Sequence, residues 1–517
     1  MPQKKTKSSP SAAAVIEFSS NNVRMIVAER GEDNGMRILD FMENPLPIGK
    51  DTFTHGKLSF DKIGAACAIV KNYTDAAACY GVALRDIRLI ATSALREARN
   101  KNYILDQIRL KTGIEVNILD SQEEKLCVFK TALRHIDSSE ENPALLVFIG
   151  SGNIGFSVVE KGSIIFYQSI RIGPLRVSEL FEDLARRSNE YHIVAREYIN
   201  TYLNPKTLNL PGKISRLYLT GGDISEIKSL CGTEEQNGVY NINKSNITKL
   251  YDEIKFASAE SISRDLNVPS YRADMLIPAL NIINNFLNIT GLTLAEALPA
   301  YVNESILYRS LYPEQAKETD KNFYRNTLLC VKTIAERYDV SVVHATQVDR
   351  FAMKIFDKIR KLHGMGARER ALLQCAAYLH DCGKFIGIRE HAMNSFNIIR
   401  GLDIMGFNQQ EMRILGMMCL LHSSVPPESY NNFIYMPDSE KTATSKLAAI
   451  LRLADALDRG GSQKINDIDV NLEGDILNVL AHSSLNIDLE KWSFGEKSGF
   501  FTDVFGIKPI IKLKASV

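Results

Sequence analysis

Residues 378–385 read YLHDCGKF, which sets His380 and Asp381 side by side at the end of the amphipathic run ERALLQCAAYL. Where such a helix unwinds, both side chains can turn toward one ion, because imidazole and carboxylate are common protein donors to divalent metals. Two further donors lie in neighbouring helical runs, His344 in SVVHATQVDRFA and Asp455 in AILRLADALDRG. Together they could hold Mg²⁺, Mn²⁺ or Fe²⁺ with positions left open for water and phosphate oxygens. Lys384, three residues past Asp381, could neutralise a nonbridging phosphate oxygen as charge accumulates. The competing reading makes each histidine a satisfied packing residue of its helix.

A second group of residues offers backbone chemistry. Small-residue turns follow apolar strands at Ser19–Asn22, Gly150–Asn153 and Gly221–Gly222. Glycine and serine let the main chain approach an anion and present N–H groups to it, so Ser20, Asn21, Gly150, Ser151, Gly152, Asn153, Gly221 and Gly222 are candidate phosphate contacts. Taken singly, such turns more often serve topology alone.

The elements that must position these groups fall into two kinds. AAVIEF and VRMIVAER read as a hairpin, followed by a helix near 58–80, a strand IRLIATSA, a helix through LREARNKNYILDQIRLKTG and a strand EVNILD. ALLVFIGSGNIGFSVVEKGSIIFYQSI repeats the opening theme, which suggests an internal duplication. From about residue 320 the periods become long and helical, and the end returns to strands in INDIDVNLEGDILNVLAHSS and IKPIIKL. At 517 residues, 45% apolar and 24% charged, the chain calls for two to four globular domains. With 62 Lys and Arg against 61 Asp and Glu, no bulk positive field would draw nucleic acid or anionic lipid. Eight cysteines without CxxC spacing point to free thiols and the cytoplasm, and no run is long and apolar enough for a membrane span. Residues 1–11 read as a flexible tail.

In order along the chain, AAVIEFSSNNVRMIVA, ATSALREARN, GIEVNILDSQEEKLCVFKTAL, LLVFIGSGNIGFSVV and YRADMLIPALNII resemble the exopolyphosphatase/guanosine pentaphosphate phosphohydrolase (Ppx/GppA) family. That resemblance implies duplicated actin-like (sugar kinase/Hsp70-like ATPase) α/β domains at 12–137 and 138–311. A mostly helical HD-type domain would follow at 320–460, with a C-terminal α/β extension at 461–517 bearing a small terminal β element. It implies Glu123 as the catalytic carboxylate and Arg96 as a phosphate-binding cation, with Glu17 a further candidate metal ligand. Two loops depart from the family pattern: the first has lost its glycine, and the second, Phe148-Ile149-Gly150-Ser151-Gly152-Asn153-Ile154-Gly155, lacks both family acids. Phe148 cannot ligate a metal, so little hydrolysis is expected from this cleft.

The helical part resembles the HD phosphohydrolase superfamily. The resemblance implies a metal set of His344, His380, Asp381 and Asp455, places His391 and His422 as the further histidines of two-metal members, and completes a His-Asp-x-Gly-Lys pattern at Lys384. The implied activity is hydrolysis of phosphoanhydrides, with inorganic polyphosphate, pppGpp or another phosphorylated small molecule as partner, and the implied assembly is a homodimer. Three further readings stay open: hydrolysis at Glu123, a non-catalytic sensor of a phosphorylated ligand, and an HD nucleotide phosphohydrolase regulated by a degenerate actin-like cleft.

Overall fold

β1 (Ala12–Phe18) is buried along nearly its whole length, and its neighbours explain why. It pairs antiparallel with β2 (Asn22–Arg30) and parallel with β4 (Ile87–Ala91), so it is the middle strand of a sheet ordered β3-β2-β1-β4-β5. A strand covered on both faces reads as a continuous apolar run rather than an alternation. β3 (Met36–Pro45) pairs outside β2 and β5 (Val116–Ile118) outside β4. The sequence reading lacked β3, whose MRILDFMENP mixes charge with apolar residues because it is a largely exposed edge.

The computed structural model describes residues 10–514 except 33, 34, 138, 140, 188, 189, 205–207, 209, 236, 237 and 424, and the side chains of 186, 187, 223 and 319–322 also fall outside. Most of the expected tail at 1–11 therefore lies outside the described residues. α1 (Phe60–Cys79) and α2 (Lys101–Thr112) pack together beside the first sheet. The single helix expected through LREARNKNYILDQIRLKTG is instead broken between a short turn of helix, Ser93–Glu97, and α2. Asn100 sits at the break because its amide bonds both backbone groups of Leu58, at 3.1 and 2.9 Å. α3 (Ser121–Ala132) then leads toward the second sheet.

That sheet repeats the first. β6 (Ala144–Ile149), β7 (Ile154–Glu160) and β8 (Ser163–Ile170) run antiparallel in succession, and β9 (Arg216–Thr220) lies parallel to β6. β10 (Gly232–Glu234) and β11 (Tyr240–Asn243) extend the far edge beyond β12 (Leu294–Ala297), giving β10-β11-β12-β9-β6-β7-β8. Five strands in each sheet thus share one order, the duplication that the paired hairpins suggested. α4 (Ser270–Thr290) packs its apolar face on the core of this second half.

The chain divides into two units, residues 1–323 and 324–517. In the second, α5 (Val342–Lys358), α6 (Ala367–Leu379), α7 (His391–Arg400), α8 (Gln409–Leu421) and α9 (Asp438–Ala456) enclose a core including Phe351, Leu373, Leu415 and Leu453. β13 (Asp467–Glu473) and β14 (Ile476–His482) form the expected hairpin around Gly474, and β15 (Lys508–Lys514) pairs parallel to β14. A parallel partner needs a crossover, supplied by α10 (Asp488–Phe505). The sequence reading missed α10, whose Gly495 and Gly499 weaken its helical signal. No helix among the described residues is long and apolar enough to cross a membrane.

Candidate functional site

In the first unit the three small-residue turns do meet. One cleft is lined by Ser20, Asn21, Gly150, Ser151, Gly221 and Gly222 together with Glu17, Arg24, Glu124, Phe148 and Arg272. Close approach explains Gly221: its φ of +121° is a glycine conformation, and a Cβ there would lie 2.1 Å from the Ile149 carbonyl oxygen. The cradle is incomplete, however, because the Gly150 N–H closes its own turn on the Asn153 carbonyl at 2.9 Å. Gly152 and Asn153 are not among the lining residues. Gly152 accepts from Arg176 Nε at 2.9 Å, and Asn153 is buried in its turn.

Two expected residues stand elsewhere. Glu123 does not line the cleft, because its carboxylate accepts the Asp120 N–H at 3.1 Å and completes the capping box at the start of α3. The α3 carboxylate that faces the cleft is its neighbour Glu124, which is buried. Arg96 lies behind it, donating to the Leu119 carbonyl at 2.6 Å and to Glu124 at 3.3 Å, so it fixes a carboxylate rather than lining the anion cleft. The cations that do line it were missed: Arg24, and Arg272, which is paired to both oxygens of Glu226 at 2.6 and 2.8 Å. Glu43 lies beside both, 3.0 Å from Arg272 and 3.6 Å from Arg24. Burial pushes Glu17 up to about 7 against the opposing pull of Arg24. Phe148 fills the second loop with an aromatic ring, which offers no metal ligand.

In the second unit, five helix ends and one turn deliver side chains to one point. Ser341 caps α5 by accepting the His344 N–H. His380 ends α6, and Asp381 opens the following 3₁₀ turn. That turn lies so close to α7 that a Cβ on Gly383 would sit 2.1 Å from the His391 carbonyl oxygen. Buried Ser395 of α7 ties the two together, accepting the Gly383 N–H at 2.8 Å and donating to the His380 carbonyl at 2.6 Å. His391 begins α7, His422 ends α8, and Asp455 lies in the last turn of α9.

Asp381 is central to the cluster. Its Oδ2 is 3.8 Å from His344 Nε2 and 3.6 Å from His380 Nε2, and its Oδ1 is 3.7 Å from His391 Nε2 and 3.9 Å from His422 Nε2. Asp455 Oδ1 lies 3.4 Å from His344 Nε2 and 3.6 Å from His380 Nε2. These separations are long for hydrogen bonds, yet suit donors sharing an ion about 2 Å from each. Two overlapping triads, His344-His380-Asp381 and Asp381-His391-His422, could each hold one.

The outer nitrogens fix the tautomers. Nδ1 of His380, His391 and His422 donates to the carbonyls of Ala377, Ile388 and Cys419, at 2.9, 3.2 and 2.6 Å. Nδ1 of His344 donates to buried Asp458, at 2.8 Å. In each ring Nε2 is then the atom turned inward, the arrangement in which outer partners orient metal-binding histidines. Two consequences mark the inside as built for a cation. His380 Nε2 is fully buried and has no hydrogen-bond partner within 3.5 Å among the described residues, and the Nε2 atoms of His391 and His422 face each other at 3.1 Å. Burial and neighbouring His380 hold His422 down at about 3.

Lys384 pairs with Asp381 Oδ2 and is half-exposed, so its ammonium can reach a substrate at the mouth. Against burial, His380, His422 and Lys384 hold the Asp381 carboxyl well below the usual range. Burial also opposes protonation of His344, but Asp455 and Asp458 outweigh it and lift the ring to about 9. Two participants were missed. Asp458 was visible three residues past Asp455, whereas Lys497, whose Nζ contacts Asp455 Oδ2, sits on the unforeseen α10.

Comparison with known proteins gives both halves a family. The model described as the Ppx/GppA phosphatase family matches residues 26–312, more than half the chain, and that of Ppx/GppA phosphatase, domain III, matches residues 328–492. Guanosine-5'-triphosphate,3'-diphosphate pyrophosphatase of Pseudoalteromonas translucida is 20% identical over 480 residues, covering 90% of this chain and 91% of that protein. The bifunctional 3-dehydroquinate synthase/phosphatase of Fusobacterium nucleatum is 26% identical over 198 residues, 37% of this chain and only 30% of that protein. An exopolyphosphatase from Cytophaga hutchinsonii shares the fold, with a TM-score of 0.51 at 19% identity over 58% of this chain and 97% of that one. The chain belongs to the Ppx/GppA phosphatase family, whose members hydrolyse phosphoanhydride bonds.

Proposed function

We propose that the protein is a phosphoanhydride hydrolase whose catalytic centre is the His/Asp cluster of the second unit, an HD-type metal site. Polyphosphate and pppGpp are the substrates to be tried, after the exopolyphosphatase and the guanosine polyphosphate pyrophosphatases to which the chain is similar. The observation that carries this reading is the set of four histidines with Nδ1 engaged and Nε2 turned inward around Asp381 and Asp455. A bound divalent metal would supply charge neutralisation and make its water more acidic. The chain's part is to hold that ion. His344, His380, Asp381 and Asp455 would take one position, with Asp381 shared by His391 and His422 at a second. Lys384 would neutralise a nonbridging oxygen as the terminal P–O bond breaks.

The first cleft is then the place where a phosphorylated ligand is bound and sensed. Arg24 and Arg272 face it as cations, while Phe148 stands in the second loop where no metal ligand remains, leaving Glu17 and Glu124 as its carboxylates. The finer division of the chain, at 12–137, 138–311, 320–460 and 461–517, goes with this reading, as does a cytoplasmic homodimer, which sedimentation checks. The test is phosphate release from polyphosphate and pppGpp by His380→Gln and Glu124→Gln. Loss of at least a hundredfold in the first with less than tenfold in the second supports the assignment, and the reverse pattern returns catalysis to the first cleft.

A further inference from the structure

Lys497 belongs to no motif singled out in the sequence, and the domain III match at 328–492 stops short of it. It nevertheless lies at the heart of the cluster. Its side chain is 5% exposed, on the buried face of α10, and its ammonium contacts Asp455 Oδ2. Asp455 is equally buried, and its other oxygen, Oδ1, faces His344 and His380. The two oxygens of this carboxylate are therefore divided, one to an ammonium of the C-terminal helix and one to the inward-facing histidines.

Resting on the metal-site reading above, we infer that Lys497 is a positioning residue for the metal centre. It captures Asp455 Oδ2 and so presents Oδ1 alone to the ion shared with His344 and His380. A carboxylate at the end of a helix has two rotatable bonds, and an ammonium fixed by α10 removes that freedom before the metal arrives. α10 is thereby a working part of the centre: β14, α10 and β15 form one crossover unit, and the packing of α9 against α10 sets the Lys497-to-Asp455 contact. The His391 and His422 half of the cluster has no such dependence, because its shared carboxylate, Asp381, is held by Lys384.

The experiment is equilibrium Mn²⁺ binding to the metal-stripped full chain, followed by the electron paramagnetic resonance of free Mn²⁺. Wild type, Lys497→Met, Asp455→Asn and the double variant are compared, each checked for folding by circular dichroism. Lys497→Met is expected to weaken the tighter class of Mn²⁺ sites roughly tenfold to a hundredfold. In the Asp455→Asn background the same substitution should change affinity less than threefold. The double variant replaces a buried ion pair by a neutral one, so it answers the question even where the single variant fails to fold. If wild type binds and Lys497→Met binds equally or more tightly, the inference is overturned, as it is by full additivity in the double variant. If wild type binds no Mn²⁺, the metal-site reading itself fails and the inference falls with it.

Discussion

One position separates Glu123 from Glu124, and helical geometry turns that position into two roles. Glu123 caps α3 while Glu124 faces the anion cleft. Glu123→Gln keeps a capping-box acceptor and loses only the charge at the helix start, so it should cost about 0.3–1 kcal/mol of stability and leave phosphate release within twofold of wild type. Denaturant unfolding and a phosphate assay read the two effects separately. A large fall in hydrolysis with this variant would show that the carboxylate works at a substrate. The residue types of the His/Asp cluster were legible in the sequence because such donors cluster seldom. The exact member of an EE pair was not, since a single step along a helix rotates a side chain by about 100°. Arg24 and Arg272 went unassigned for another reason: both lie in the quoted stretches VRMIVA and YRADML, but a lone arginine in such a stretch does not reveal that its side chain reaches a cleft built by distant turns.

Among the elements, the close crossing of the Cys382–Phe385 turn over α7 is the tightest constraint on the cluster. Gly383→Ala would place a Cβ against two backbone atoms, at 2.1 and 2.3 Å, which only movement of the turn can relieve. A loss of about 3 kcal/mol, together with a tenfold or greater loss of metal affinity, is the expected outcome of melting and metal titration. Ser395→Ala should act in the same direction but less, about 1–3 kcal/mol, because it strands the Gly383 N–H and the His380 carbonyl. Strand order and the two hairpins could be read from apolar runs and turns. Edge strand β3 and helix α10 could not, because exposure dilutes the pattern of one and glycines that of the other.

For the molecule as a whole, the two units should respond to different variables. In the first, burial pushes both Glu17 and Glu304 up to about 7 from 4.5. Below pH 4.5 folded and unfolded chains both keep these protons. Between 4.5 and 7 only the unfolded chain releases them, so stability falls with rising pH, at most about 1.4 kcal/mol per unit for each group, and levels off above 7. Glu304→Gln should flatten this slope in denaturant melts at pH 5 and 7. In the second unit, saturating Mn²⁺ should raise the melting transition, by about 2.7 kcal/mol at a hundredfold excess over Kd, because every residue of the cluster lies within 324–517.

The measurement that bears most directly on the central claim is the metal content of the purified protein, wild type beside Asp381→Ala, with phosphate release assayed on the same samples. Stoichiometric divalent metal in wild type, lost together with hydrolysis in the variant, is the predicted result. Wild type that hydrolyses without metal, or Asp381→Ala that keeps its activity, would contradict a catalytic centre at the His/Asp cluster.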